Sequence, residues 1–159
     1  MTTNRFDRPN TIPWPPIILI SSIAIGFIAQ GIYSLSVPTT PLGDLVFGLG
    51  LMMIIVALLI DIAAMRTMQK AKTTIMPHKG SEHMVTTGVF AFSRNPIYLA
   101  NAILIIGIGL VMGTFWHVFI MPFAAFATQK LAIEREEIHL EHKFGNNFRS
   151  YKKKVNRWI

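Results

Sequence analysis

Two short polar clusters flank the apolar segments of this sequence, and the first lies in residues 84–98, MVTTGVFAFSRNPIY. Within it, Arg94, Asn95 and Pro96 stand directly before an apolar run. Asn and Pro are typical of the N-cap and of the first residue of a helix, and Arg is a common membrane anchor. A helix N-terminus also offers free N–H groups and a positive dipole, so Arg94 beside it can hold a carboxylate. The cluster therefore predicts a capped helix start, either as a simple membrane boundary or as a site for an anionic group.

The second cluster is acidic and has the sequence EREE at residues 134–137. One stripe of a helix through this region joins it to apolar side chains: Ile133, Glu137, Leu140 and Phe144. Glu137 is therefore expected on an apolar, inward-looking face, and Glu136 flanks that face. A buried carboxylate needs a cationic or hydrogen-bonding partner, which predicts that Glu137 pairs with Arg94 or with the ammonium group of a ligand. A surface ion pair is the alternative, chiefly for Glu136.

The remaining candidate residues indicate no metal, thiol or phosphate chemistry. Without cysteine, the chain has no disulfide, no thiolate ligand and no cysteine nucleophile. His78 and His83 share one loop without metal-ligand spacing, and His117 lies in a distant segment, so we expect no metal site. The sequence contains no glycine-rich phosphate loop, nucleophile elbow or nucleic-acid motif. Asp61, an acid within an apolar segment, is a functional candidate, although it lies near the end of that segment and can pair with Arg66.

The elements that must position these clusters are apolar helices. Of the 159 residues, 52% are hydrophobic and the mean hydropathy is +0.45, which is too apolar for an ordinary soluble domain. Four apolar segments are predicted to span a membrane, at about 16–35, 42–65, 96–112 and 115–133. A soluble helical bundle is disfavoured because these segments lack a polar face. The predicted fold is one all-α domain over residues 1–159, an integral membrane protein with four transmembrane helices.

The basic residues predict the orientation in the membrane. Of 15 Lys and Arg, two lie before the first span, five lie in residues 66–94, and eight follow from Lys130 onward. The connections 36–41 and 113–114 contain none. The net charge of +7 thus indicates contact with membrane lipids rather than nucleic acid, and the positive-inside rule makes the basic side cytoplasmic. We expect a protein of the plasma (inner) membrane with both termini in the cytoplasm.

Beyond the fourth span, the chain is predicted to continue as a cytoplasmic helical extension. Gly145 fits the C-cap of a first helix in this extension. In the segment that follows, apolar side chains share one side: Phe148, Tyr151, Val155 and Trp158. Basic side chains fill much of the rest: Arg149, Lys152, Lys153, Lys154 and Arg157. This pattern predicts an interfacial helix that lies against anionic head groups.

Taken together, MVTTGVFAFSRNPIYLA and the later EREEIHLEHKFGNNFRSYKKKVNRWI resemble the isoprenylcysteine carboxyl methyltransferase family, which is related to the phospholipid N-methyltransferases. That family has a loop like Val-Thr-x-Gly-x-Tyr, then Arg-His-Pro-x-Tyr opening a membrane helix. It continues with Glu-Glu-x-x-Leu-x-x-x-Phe-Gly and a downstream Tyr and Arg-Trp. The matching residues here are Val85, Thr86, Gly88, Phe90, Arg94, Pro96, Tyr98, Glu136, Glu137, Leu140, Phe144, Gly145, Tyr151, Arg157 and Trp158. Asn95 replaces the histidine of many members, which removes a titratable group, and Phe90 replaces a tyrosine.

The resemblance implies a membrane methyltransferase that uses S-adenosylmethionine at the cytoplasmic membrane boundary, with a cofactor region over 70–98 and 134–159. The implied cofactor-binding residues are His83, Val85, Gly88, Phe90, Arg94, Asn95, Pro96, Tyr98, Glu136 and Glu137. By this analogy, Arg94, Asn95 and Tyr98 hold the methionine and ribose parts. Val85, Gly88 and Phe90 line the adenine. Glu136 or Glu137 receives the ammonium or hydroxyl groups. Arg94 and Glu137 are the implied catalytic residues.

The methyl acceptor implied by the resemblance approaches from the bilayer, and its head group stays open among an isoprenylcysteine-like carboxylate, a small thiol and a lipid amine. Two other functions are weighed against methyl transfer. Sterol reductases resemble the family in their C-terminal part, so a membrane oxidoreductase that uses a nicotinamide nucleotide is the first alternative. A non-catalytic, transporter-like protein with four spans is the second. It is disfavoured because Asp61 lies near the end of its span rather than at mid-membrane.

Overall fold

The computed structural model describes residues 12–38, 41–71 and 84–159, and these residues are mostly helical. The elements in chain order are α1 Trp14–Ile32, α2 Pro41–Lys70, a 3-10 turn Gly88–Ala91, α3 Pro96–Val111, α4 Trp116–Thr128, a π turn Gln129–Ile133, α5 Glu134–Phe144 and α6 Asn146–Lys154. Within the described ranges no strand forms, apart from one isolated bridge between Ser36 and Thr114. The predicted all-α fold is confirmed.

Two of the four predicted spans are described helices long and apolar enough to cross a membrane: α1 with 19 residues and α2 with 30. α2 continues past the predicted boundary at residue 65 to Lys70, because the polar residues that follow are good helix formers. α3 has 16 residues, which corresponds to about 24 Å of helix. α4 has 13 residues and is prolonged by the π turn. That α3 and α4 also cross the membrane stays a prediction.

α2 packs on α3 through small residues. Its buried residues, Gly50, Ala57 and Ala64, recur on one face of the helix. A Cβ at Gly50 would lie 2.9 Å from the carbonyl oxygen of Gly107 in α3, so the two backbones approach as closely as glycine permits. Most of the larger apolar side chains of α2 are exposed instead. An exposed apolar surface of this extent is typical of a helix that contacts lipid.

α1, α3 and α4 meet around His117, which is fully buried. A Cβ at Gly26 of α1 or at Gly109 of α3 would overlap the histidine side chain. The imidazole Nε2 lies 3.2 Å from the carbonyl oxygen of Ile23, which gives the ring a polar partner inside the bundle. His117 thus joins three helices, and the two glycines make room for it.

Two connections are tied together at one end of the bundle. Thr114, in the turn between α3 and α4, donates from Oγ1 to Gln30 Oε1 at 2.9 Å. Trp116 Nε1 donates to the carbonyl oxygen of Tyr33 at 2.7 Å, on the connection that follows α1. These two hydrogen bonds join the α1–α2 connection to the α3–α4 turn at this end of the bundle.

We call the opposite end the basic end, where α1 and α3 begin, α2 ends, and Lys70, Arg94 and Lys130 lie. Here α4 passes through the π turn into α5 without a break. Gly145 then adopts a φ of 52° and ends α5, as predicted, because glycine tolerates the left-handed region that turns the chain into α6.

The apolar side of α6 is buried inside the protein, which contradicts the predicted interfacial helix. Phe148, Tyr151 and Val155 are at most 8% exposed. They pack against three further apolar side chains, Met84, Leu140 and Phe144. The stripe of α5 and the loop before the 3-10 turn therefore cover the side that the pattern assigned to lipid. Most of the basic residues on the other side of α6 stay exposed.

Candidate functional site

Four segments meet at the basic end: the loop 84–95, the start of α3, helix α5, and residues 155–159 after α6, which we call the C-terminal strap. Two cavities, of about 80 and 300 Å³, lie beside these segments and are lined by the first three of them together with residues of α1, α2 and α6. Their common lining is Met68, Phe90, Arg94, Asn95 and Glu136. The smaller one also borders Glu137 and Tyr151, and the larger one extends to Pro15, Pro16 and Leu19 in the first turns of α1.

Glu137 is held between two arginines. Arg94 Nη1 lies 3.0 Å from Glu137 Oε1. Arg157 donates to both carboxylate oxygens, from Nε at 3.0 Å and from Nη2 at 2.8 Å, and this pairing raises the pKa of Arg157. The Glu137 side chain is only 11% exposed, so the two cations compensate for the burial of its charge. The structure thus brings together the predicted pair of Arg94 and Glu137 and adds Arg157 to it.

Arg94 keeps donors that the described part of the chain does not use. Its side chain is 10% exposed, and both Nε and Nη1 are buried without a hydrogen bond to a described residue. The contact of Nη1 with Glu137 is therefore an ion pair without hydrogen-bond alignment. A buried donor left unmet costs about 1–3 kcal/mol. A carboxylate or another anionic group in the adjoining cavities would remove this cost.

Glu136 differs from its neighbour in having a free acceptor. Tyr98 Oη donates to Glu136 Oε2 at 3.0 Å, and none of the residues described here donates to Oε1. Burial raises the pKa of Glu136, with a smaller contribution from the charge of Glu137, while the Tyr98 hydrogen bond opposes the rise. Since both oxygens of Glu137 already face arginines, Glu136 is the carboxylate that can take an additional cationic or donor group. The sequence pattern favoured Glu137 for that role.

The C-terminal strap holds the loop that precedes α3. The carbonyl oxygen of Asn156 accepts the Arg94 N–H at 3.0 Å, and that of Arg157 accepts Asn95 Nδ2 at 2.9 Å. Asn95 occupies the N-cap position but its side chain makes no capping bond, and its own N–H donates to Ser93 Oγ at 3.1 Å. The predicted side-chain cap is therefore wrong, because the strap offers the Asn95 amide another partner. The proline that follows begins α3, as predicted.

The loop residues implied to line the adenine divide into two groups. Val85 borders the smaller cavity and Phe90 borders both. Gly88 borders neither of them. Its φ is 62°, and a Cβ there would lie 2.8 Å from Thr67 Oγ1, so this glycine allows the loop to pack closely on α2. His83 lies outside the described residues.

Two of the implied residues at the start of α3, Pro96 and Tyr98, line the larger cavity. Asp61 lines neither cavity, and its Oδ1 is buried without a hydrogen-bond partner among the described residues. Across the described ranges, no group of three or more His, Cys, Asp or Glu side chains could hold a metal ion.

Some lining residues were assigned no role by the sequence. Tyr151 Oη donates to the carbonyl oxygen of Phe90 at 2.6 Å, and burial raises the pKa of Tyr151 to about 12 although the nearby Arg94 opposes this. Tyr151 matched the family motif, which was the signal available for it. Met68 and the first turns of α1 belong to helices distant in sequence, and nothing in their local pattern marks them as part of a site.

Comparison with known families shows which family the chain resembles over most of its length. The family model described as "Phospholipid methyltransferase" matches residues 45–147, which include the loop 84–95, all of α3 and all of α5. The C-terminal strap, with Arg157, lies beyond the matched range. Comparisons with curated proteins and with solved structures gave no match.

Proposed function

The chain belongs to the phospholipid methyltransferase family, and on that premise we propose that it transfers a methyl group from S-adenosylmethionine to a lipophilic or small acceptor at the membrane boundary. Its long apolar helices and its family support a membrane protein. The family also favours methyl transfer over the oxidoreductase and transporter alternatives. The observation that carries the cofactor assignment is Arg94, which lines both cavities and whose Nε and Nη1 are buried without a hydrogen bond to any described residue.

The donor set of the site fits the groups of S-adenosylmethionine. The unused Arg94 N–H groups suit its carboxylate, since arginine and carboxylate form charge-assisted hydrogen bonds. The free Oε1 of Glu136 suits its ammonium group better than the occupied oxygens of Glu137 do. Val85 and Phe90 offer apolar surface for the adenine in the smaller cavity. Glu137 then positions Arg94 rather than binding the cofactor itself.

The cofactor supplies an electrophilic methyl group on a positively charged sulfur. What the chain contributes is orientation and the exclusion of water, because methyl transfer needs the acceptor atom, the methyl carbon and the sulfur in line. Arg94, held by Glu137 and by the strap, fixes one end of the cofactor. Glu136, oriented by Tyr98, fixes another. A carboxylate or thiolate acceptor would need little assistance from a base, whereas an amine must lose a proton first.

The charge distribution supports a cytoplasmic position for this site. The site lies at the basic end, and so do Lys70, Lys130 and the basic residues of α6. By the positive-inside rule, it would face the cytoplasm of a plasma (inner) membrane. The larger cavity, which extends to the first turns of α1, would then lie at the boundary between head groups and hydrocarbon.

Titration calorimetry of purified, folded protein with S-adenosylhomocysteine, the demethylated product, tests the cofactor assignment. Arg94→Ala should weaken binding by about 30-fold or more, since charged hydrogen bonds contribute about 2 kcal/mol or more. Glu141→Gln is the matched control, because Glu141 pairs with the exposed Arg149 and Lys152 at the surface of α6 and lines neither cavity. Equal effects of the two substitutions, or no binding to the unmodified protein, would refute the assignment.

The reaction is tested separately with S-adenosylmethionine that carries a labelled methyl group. Incubation with a dispersed total lipid extract should transfer the label to the lipid phase, and the labelled product identifies the acceptor. Glu137→Gln should lower the rate strongly through Arg94, with Glu141→Gln again as the control. Label that stays in the aqueous cofactor fraction under conditions where S-adenosylhomocysteine binds would exclude a lipid acceptor.

A further inference from the structure

Asn101 is a polar residue in the wall of the larger cavity. It lies five residues after Pro96, which is about 7.5 Å further along α3. Its side-chain amide makes no hydrogen bond with any residue in the described ranges. An amide carries two donors and one acceptor oxygen, and leaving them unmet in an apolar helix costs free energy. The cavity in front of it is the place where a partner can bind.

The lining of the larger cavity contains two kinds of residue. Its apolar residues include Pro15, Pro16 and Leu19 of α1 and Ile97 of α3. Arg94, Asn95 and Glu136, the polar groups proposed for the cofactor, form another part of the same lining. The larger cavity therefore combines a charged region with an apolar one, and Asn101 supplies the apolar region with hydrogen-bonding capacity.

A narrow gap continues from the same residue into the bundle. It has a volume of about 10 Å³ and lies between α1, α3 and α4. Asn101 borders both this gap and the larger cavity, and the rest of the gap is lined mainly by apolar side chains, among them Ala102, Ile105 and Ala124, with Tyr98 and Thr128 as its other polar residues. These apolar side chains suit hydrocarbon but cannot meet a polar head group. Asn101 thus lies where the junction between the polar head group and the hydrocarbon chain of a bound lipid would be.

We propose that Asn101 determines acceptor specificity by hydrogen-bonding the polar head group of a lipid whose chain lies against the first turns of α1 and α3. The proposal rests on the proposed function, because it leaves the charged part of the cavity to the cofactor. The ligand class is an amphiphile whose head group carries nitrogen or oxygen atoms that can pair with an amide. α1, which lies outside most of the resemblance and of the family match, forms the outer wall of this acceptor site.

Asn101→Leu tests the proposal because it removes the amide but keeps the number and branching of the side-chain heavy atoms. With saturating S-adenosylmethionine and a dispersed total lipid extract as the probe, the lipid concentration at half-maximal methyl transfer should rise about tenfold, the effect of one lost hydrogen bond. The Kd for S-adenosylhomocysteine should stay within twofold of that of the unmodified protein. Asn147→Leu, at an exposed position in α6, is the matched control. An unchanged lipid dependence, or an equal loss of S-adenosylhomocysteine binding, would overturn the proposal.

A second measurement needs no turnover. Since the chain contains no cysteine, Asn101→Cys introduces a unique thiol. Its reaction with N-ethylmaleimide in detergent should slow at least threefold on addition of the lipid extract, more than for Leu58→Cys on the exposed face of α2. Equal protection at the two positions overturns the acceptor site. Absence of S-adenosylhomocysteine binding with selective protection at position 101 instead refutes the proposed function and leaves a lipid site.

Discussion

Replacing Arg157 with alanine probes whether the C-terminal strap positions Arg94, the arginine that we assign to the cofactor. In the structure, Arg157 makes two charge-assisted hydrogen bonds to Glu137, at 3.0 and 2.8 Å. Without them, Glu137 keeps Arg94 as its one charged partner within the described residues. The carboxylate is then free to turn toward Arg94 and occupy the donors that we assign to the cofactor. We therefore expect Arg157→Ala to weaken the binding of S-adenosylhomocysteine.

The size of the effect follows from burial. Breaking a fully buried ion pair costs about 3–5 kcal/mol, and exposed pairs contribute about 0–1 kcal/mol. The Arg157 side chain is 31% exposed and that of Glu137 is 11% exposed, so this pair lies between the two limits. We take about 2 kcal/mol for this pair, which sets an upper limit of about 30-fold on the change in Kd. Arg157→Lys should recover only part of this, because an ammonium group cannot bind both carboxylate oxygens in the bidentate geometry.

Calorimetry with S-adenosylhomocysteine measures this change, and Arg149→Ala is the control, since Arg149 is 62% exposed and pairs with Glu141. A double-mutant cycle of Arg157→Ala with Glu137→Gln should show a coupling energy of about 1–3 kcal/mol. Additive effects in that cycle, or equal losses for Arg157→Ala and Arg149→Ala, would show that the strap does not act on the site through Glu137.

Three further predictions concern stability, measured by thermal unfolding in detergent. Burial raises the pKa of Glu136 in the folded state, so ionising Glu136 favours unfolding; stability should fall as pH rises from about 4.3, the unfolded pKa, through the raised folded pKa, and Glu136→Gln should remove this decline. Gly88→Ala should destabilise the fold by about 1–2 kcal/mol, because the residue has a φ of 62° and its new Cβ would press on Thr67. Tyr151→Phe should cost about 1 kcal/mol, because it deletes a 2.6 Å hydrogen bond to the backbone of the 3-10 turn.

Each stability prediction has a result that would contradict it. For Glu136→Gln, it is a pH dependence identical to that of the unmodified protein. For Gly88→Ala, the control is Gly31→Ala in α1, where a Cβ meets nothing within 4 Å and should be neutral or slightly stabilising. Equal behaviour of the two glycine variants would mean that the loop does not need its close approach to α2. For Tyr151→Phe, unchanged stability would show that this hydrogen bond does not stabilise the fold.

Local patterns were enough to predict several parts of this molecule. The apolar runs predicted α1 and α2, and Pro96 marked the start of α3 because its ring favours the first turn of a helix. The 3.6-residue period placed Glu137 on an inward face of α5, and the cost of burying a carboxylate then required a cation such as Arg94. Each of these predictions depends on the pattern within a single helix and on the chemistry of a single side chain.

The parts that could not be predicted depend on contacts between distant segments. Periodicity shows which side of α6 is apolar, but it does not show that α5 covers that side in place of lipid. Similarly, a good N-cap residue such as Asn95 has several possible partners, and the carbonyl of Arg157 becomes one only after the strap has folded back. The sequence pattern favoured Glu137 over Glu136 as the acceptor for a ligand for the same reason. It could not show that Arg157 already donates to Glu137, whereas Glu136 Oε1 receives no donor from the described residues.

The strap also has a consequence for the time at which activity can arise during biosynthesis. The hydrogen bond from Asn95 to Arg157 closes over 62 residues of sequence. At a synthesis rate of about 5–20 residues per second, the ribosome needs about 3–12 s to add the second partner after the first. The helices that match the family can enter the membrane during that interval while the loop before α3 still lacks its anchor. A nascent chain should therefore reach its full affinity for S-adenosylhomocysteine only after Arg157 has emerged, so the proposed site would be completed late in biosynthesis.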